Sequence, residues 1–226
     1  MRWIVPFFML CYTITGFAQD GGLGSYLSRT TSMAVRAETL KADTDAEVFA
    51  GWLEGLIVTS KPVDDSLYGF VHYDVANSPD AIGFRLAGVE GQQTIDIRRV
   101  NTFSFLEEGK KYIRYFQVVL QPGKKPDVLE KVVEGEISYW KRAKVYHYGS
   151  RSSGTVTIPK LEYEYYLLTK EGLEKIKNFK KQIHKLSAAY QVDTESIVKE
   201  KGLKLSDPVH RAMLVYHVNE AIAKAH

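Results

Sequence analysis

Cysteine is nearly missing from this chain: Cys11 stands alone among 226 residues, inside a segment that reads as a secretory signal. Arg2 supplies the positive start, and Trp3–Tyr12 supplies an apolar core too short and too interrupted by Pro6 to favour a membrane span. Small residues at Gly16 and Ala18 place cleavage after Ala18; the competing reading is an uncleaved N-terminal anchor. The bulky Phe8-Met9-Leu10 before Cys11 argues against lipid modification. With residues 1–18 removed, the expected mature chain has no disulfide, no thiol nucleophile and no thiolate metal site.

Other absences narrow the function further. No second run approaches ~18 apolar residues, so no transmembrane span is expected in the mature chain. Charge of one sign is lacking too: 30 Lys and Arg against 27 Asp and Glu leave +3, too little to imply polyanion binding. There is no HExxH pair and no GxSxG elbow. No internal repeat or low-complexity tract appears.

What the chain does have is alternation. Leu67–Leu86 (LYGFVHYDVANSPDAIGFRL) reads as a β-hairpin. Leu67, Val71, Tyr73 and Val75 fall on one side, and Tyr68, Phe70 and His72 on the other. Asn77-Ser78-Pro79-Asp80 turns the chain, and Ile82, Phe84 and Leu86 resume the pattern. Val48–Thr59, Thr94–Val100 and Tyr112–Leu120 read as further strands. In the first, Gly51 and Gly55 suggest a bulge or a closely approaching neighbour. Glu136–Tyr148 and Thr155–Leu168 read as a long hairpin around Gly149–Gly154.

Helical spacing appears elsewhere. Asp127–Gly135 (DVLEKVVEG) has Asp127 as N-cap, Glu130 as capping-box partner and Gly135 as stop, which predicts a short helix. Glu171–Tyr190 carries Leu173, Ile176, Phe179, Ile183, Leu186 and Tyr190 at threes and fours, which predicts one amphipathic helix. Asp193–Lys201 and a stretch from Pro208 to about Ala225 predict two more. The expected architecture is α+β: a mainly antiparallel sandwich or half-open barrel of about six or seven strands, with a short internal helix and C-terminal helices. Its divisions are a signal at 1–18, a flexible or partly helical leader at 19–46, a β domain at 47–169 and a helical segment at 170–226.

The chemistry-bearing residues are sparse. His210 and His217 lie about two helical turns apart, too far to chelate one ion alone. His72 and His147 have no acidic partner in view, so no metal and no cofactor is expected. Glu162 and Glu164 share a strand face and, with His147, make the weakest option, an enzyme; an exposed strand face explains them more simply. Tyr139, Trp140, Tyr146, Tyr163 and Tyr165 can form a stacking platform or line a pocket, though aromatics more often close a core. Lys177, Lys180, Lys181 and Lys185 make the amphipathic helix basic, as a solvated face or as a contact for an envelope protein or anionic surface. Nucleic-acid binding is disfavoured by the export signal and the absence of a recognition motif.

Several segments together resemble a group of exported proteins of Bacteroidota whose function is not established. They are Leu67–Tyr73 after the pattern G-x-apolar-x-Tyr, Ala81–Arg85 (AIGFR), Val128–Tyr139 (VLEKVVEGEISY) and Tyr165–Gly172 (YYLLTKEG) before a basic helix. The chain departs from that pattern after Gly55, where an Asp-Gly turn is missing. The resemblance implies an address in the periplasm or at the outer membrane and transfers no catalytic residue. The leading expectation is a non-enzymatic exported envelope module, structural or protein-interacting. The alternative is a small β domain that binds lipid, peptide or glycan.

Overall fold

Period-two alternation becomes a single antiparallel sheet. A computed structural model describes residues 51–60, 65–106, 113–147 and 159–225, with backbone alone at 146, 147, 159 and 160. The signal, the leader and the Gly149–Gly154 loop lie outside these residues. The strands are β1 (Leu53–Thr59), β2 (Ser66–His72), β3 (Ala81–Arg85), β4 (Gln93–Asp96), β5 (Val100–Leu106), β6 (Ile113–Val119), β7 (Asp127–Val133), β8 (Ser138–His147), β9 (Pro159–Thr169) and β10 (Gly172–Lys175). The helices are α1 (Phe179–Ala188), α2 (Thr194–Lys201) and α3 (Pro208–Ala225).

The expected hairpin is present, with Val71 opposite Phe84 and His72 opposite Gly83. The strand order is β10-β9-β8-β7-β6-β5-β1-β2-β3-β4. Two meanders, β1–β4 and β5–β10, therefore meet where β1 pairs with β5, Ile57 opposite Phe103. A 3₁₀ turn at Ile97–Arg99 carries the chain back from β4 at the edge to β5 at the centre. Antiparallel sheet and C-terminal helices agree with the expectation. The strand count does not, and one open ten-stranded sheet replaces the sandwich or half-open barrel.

The sheet coils without closing. Tyr73, just past β2, packs edge-on against Phe103 at 5.2 Å between centroids and lies 6.5 Å from Phe116 on β6. Stacked Phe103 and Phe116, 4.6 Å apart, centre one core with Ile57, Val71, Ile82 and Phe84. A second core forms where the helices cover β7–β9: Tyr139 and Leu167 meet Phe179, Ile183, Leu214 and Val218. Asn219 of α3 accepts from the Ile137 N–H at 3.0 Å and donates to the Ile137 carbonyl at 2.8 Å.

Two predicted helices require correction. Asp127–Val133 is strand β7, paired to β6 and β8 along both edges. Its register shifts between Lys131 and Val133. That bulge turns Val132 and Val133 into the same core and mimics helical spacing in a segment that is strictly β elsewhere. Glu171–Tyr190 is not one helix. Gly172, at φ +122, follows a turn, β10 runs from it to Lys175, and α1 begins only after Asn178, whose side chain accepts from the Lys181 N–H. The backbone of 172–175 finds partners on β9 (Leu173 opposite Leu168), and Leu173 lies exposed on that edge.

Candidate ligand site

Period two also decides which side chains meet on the inner face. Along β6, β7 and β8 it brings Arg114, Phe116, Val128, Glu130, Lys141, Ala143 and Val145 to one side, with Phe116 opposite Glu130 and Glu130 opposite Lys141. A cleft of about 390 Å³ lies over most of them. Its mouth is walled by the β2–β3 loop, through Val75, Pro79 and Asp80, and by Lys125 and Pro126. Asp74 fixes that loop by accepting from the N–H groups of Ala76 at 3.0 Å and Asn77 at 2.9 Å. Partial burial of Asp74 opposes ionisation, but the bonds from Asn77 and Ala76 outweigh it and hold the carboxyl below its usual value. Tyr73, at the loop's root, has its phenol pushed up by burial and by nearby Asp80.

Three ionic side chains converge at the floor. Arg114 grips Glu130 with both prongs, Nε to Oε1 at 2.9 Å and Nη2 to Oε2 at 2.5 Å. Lys141 Nζ lies 3.2 Å from the same Oε2 and 4.5 Å from the centroid of the Tyr163 ring. Arg114, Glu130 and Lys141 are only 1 %, 4 % and 1 % exposed. Withdrawing such ions from water costs several kcal/mol each, and apolar residues of equal volume often serve stability as well or better. Buried charge beside a cleft therefore marks a functional-site candidate more readily than a structural necessity.

The aromatic candidates divide between faces. Tyr139 is buried beneath the helices, stacked on Tyr165 at 5.6 Å and edge-on to Phe179. Arg211 lies near its hydroxyl, outside hydrogen-bonding geometry, and burial pushes that phenol up. Tyr163 faces the floor through Lys141. Trp140 points to the opposite face and packs with Leu129 and Tyr166, and its Nε1 has no partner among the described residues. The side chains of Tyr146 and His147 lie outside the described residues. Tyr139, Tyr163 and Tyr165 thus share a face but line a wall between the helical core and the ionic floor, while Trp140 is elsewhere.

The remaining candidates are tied up or solvated. Glu164, on the outer face, takes Arg142, Lys144, Lys175 and the Tyr166 hydroxyl together. Burial opposes its ionisation, yet the bonds from Lys144, Lys175, Arg142 and Tyr166 outweigh it and hold the carboxyl far below the usual range. Tyr166 is pushed up to about 12 by burial and by its bond to Glu164. Lys177, Lys180, Lys181 and Lys185 are all exposed, and Lys180 reaches Glu195 at 3.1 Å. Among the described residues, no group of three or more His, Cys, Asp or Glu stands together as a metal site would require.

Sequence reading missed Arg114, Glu130 and Lys141. Their signal was a charged residue at an inward position of an otherwise apolar strand, hidden at Glu130 by the helical reading of β7. Comparison with protein-family models, with curated proteins and with solved structures returns no match, so the functional reading rests on residues and geometry.

Proposed function

We propose that this protein is a non-enzymatic binding module of the cell envelope that holds a small ligand in the cleft over Glu130 and Lys141. One observation carries the reading: a cleft of about 390 Å³ sits on an ionic cluster nine-tenths buried. That volume falls at the lower end of ligand pockets, about 300–1,000 Å³. Mixed walls support it as well, since Val75, Phe116, Val128 and Val145 are apolar and the floor and mouth are charged. Export rests on Arg2–Ala18. The test is Ala143→Trp, which fills the cleft. Wild-type protein taken from its native envelope is expected to carry a small molecule, seen by mass spectrometry of extracts, that the variant lacks. Equal extracts from both proteins would defeat the proposal.

A second reading, contact with another envelope protein or an anionic surface, draws on a different place. A groove of about 340 Å³ runs between β10 and α1, lined by Leu173, Lys185, Leu186 and Tyr190, with Leu173 40 % exposed. The exposed Lys177, Lys180 and Lys181 stand at the start of the same helix, at the opposite end from Lys185 and Leu186. Crosslinking in envelope fractions followed by pulldown tests it. A partner lost on Leu173→Glu supports the contact, and an unchanged partner set argues against it.

A further inference from the structure

We infer that the groove between β10 and α1 takes an extended peptide segment of a partner protein, added to the sheet edge as a further strand; this rests on the contact reading given second above. β10 ends the strand order and pairs with β9. The parity of its backbone is fixed at two points. Ile176, just past β10, donates its N–H to the Tyr165 carbonyl at 2.8 Å. Lys175 therefore faces away from β9, and its carbonyl accepts from Gln182 Nε2 of α1 at 3.2 Å. Two residues earlier, Leu173 has the same parity, so its N–H and carbonyl point outward from the sheet beside the groove. Neither has a partner among the described residues. In an antiparallel addition a single residue exchanges both bonds with Leu173.

The groove supplies what a bare edge lacks, a seat for side chains. Its volume is about 340 Å³, with Leu167, Leu186 and Tyr190 among its walls. Leu173 stands opposite Leu168, on the outer face of the sheet, and Glu174 opposite Leu167, on the groove side. The residues before and after the one facing Leu173 thus project over the groove, where apolar side chains fit. Gln182 closes one end: its oxygen takes the Lys177 and Asn178 N–H groups at 3.0 Å, and its nitrogen reaches Glu174 at 2.8 Å as well as Lys175. Charge selects the flank. Lys170, Lys175 and Lys180 are ion-paired with Glu136, Glu164 and Glu195. Lys185, on the groove near Glu171, and Lys181, one turn before it, form no ion pair among the described residues. The acids across the groove are held by neutral groups, Glu171 by Thr169 and Glu174 by Gln182. An acidic residue beside the apolar pair therefore suits this rim.

The test titrates the full chain by calorimetry with acetyl-Glu-Xaa-Thr-Xaa-Thr-Glu-amide, Xaa being Val, Leu or Phe. The tightest of the three is expected to bind at least about tenfold better than the same peptide with Ser at Xaa. Methylating both Thr nitrogens removes the donors turned to Leu173 and keeps both Xaa side chains; it is expected to cost about tenfold, the worth of one or two hydrogen bonds. Leu173→Pro removes the outward N–H at an edge position that tolerates proline and is expected to weaken binding as methylation does, with Leu173→Ala as the control that keeps the N–H. Ala189→Trp, which fills the groove, is expected to abolish binding. Lys in place of both Glu is expected to weaken it several-fold at low salt, and equal binding would overturn the acidic flank. Binding blocked by Ala189→Trp but indifferent to methylation and to Leu173→Pro would overturn the added strand and leave a contact at the groove standing. No preference for any apolar peptide over the Ser peptide would overturn the strand outright, whatever partner set the Leu173→Glu crosslinking returns.

Discussion

Asn219 and Ile137 hold each other through a closed pair of hydrogen bonds, the carboxamide oxygen taking the N–H at 3.0 Å and its nitrogen meeting the carbonyl at 2.8 Å. The side chain thus replaces a missing strand partner where the chain turns from β7 to β8, and it fixes α3 to the sheet. Gly135 lets it come close, since a Cβ there would meet the carboxamide at 2.4 Å. Asn219→Leu leaves a buried backbone donor and acceptor unsatisfied. It is expected to lower unfolding free energy by about 1–3 kcal/mol, read from urea denaturation, and an unchanged midpoint would show that the clamp is idle.

Gly55 sits where β1 is paired on both sides, opposite Gly69 and Phe105. A Cβ on it would come within 2.3 Å of the Ser104 carbonyl oxygen and 2.9 Å of Val71 Cγ2. Neither can retreat, one being ladder backbone and the other a core methyl. Gly55→Ala is therefore expected to destabilise by about 1–3 kcal/mol, as overpacking does, whereas alanine in an ordinary strand position would help. Thermal melting of Gly55→Ala beside Gly88→Ala separates the two effects, because nothing lies within 4 Å of a Cβ at Gly88 and its positive φ alone is at stake.

These elements show what was legible. The hairpin of β2 and β3 follows from neighbours in sequence, where alternation and turn residues speak directly. Gly55 inside an apolar strand signals a close approach without naming Ser104 and Val71 as the residues that make it. Strand β5 was not read, because Asn101, Thr102 and Ser104 interrupt its phenylalanines and only its place between β1 and β6 buries Phe103 and Phe105. The bulge at Lys131–Val133 disguised β7 as a helix, and with it went the inward placement of Glu130. The ionic floor needs three strands in correct register, which local periodicity does not encode. Adjacent Tyr139 and Trp140, by contrast, must face opposite sides of a strand, so period two alone forbids the single aromatic pocket that composition invites.

Glu164 ties the outer faces of β8, β9 and β10 into one network through Arg142, Lys144 and Lys175. Its folded carboxyl is held below the unfolded value, 4.5. Its contribution is then complete above that value and is lost as pH falls from it towards the lower folded one. Glu164→Gln is expected to flatten the fall in stability below about pH 4.5 relative to wild type, measured by denaturation at a series of pH values. Parallel acid profiles for the two proteins would show that the network contributes nothing.

The floor cluster makes a sharper case, because stability and function pull apart there. Removing one member strands the others: Glu130→Leu leaves Arg114 and Lys141 facing each other without their shared carboxylate, and is expected to cost about 3–5 kcal/mol. Replacing all three together, as Arg114→Met, Glu130→Leu and Lys141→Met, removes the charges and refills the volume. Such a triple replacement is expected to restore stability to wild type or exceed it by about 1–4 kcal/mol, read as the denaturation midpoint. Its cleft would keep the apolar wall of Val128 and Val145 but lose the charged floor, and is expected to retain less of the small molecule that wild-type protein carries from its native envelope. A triple variant that is both less stable than Glu130→Leu and unchanged in the molecule it carries would assign the cluster to the fold instead of to the ligand.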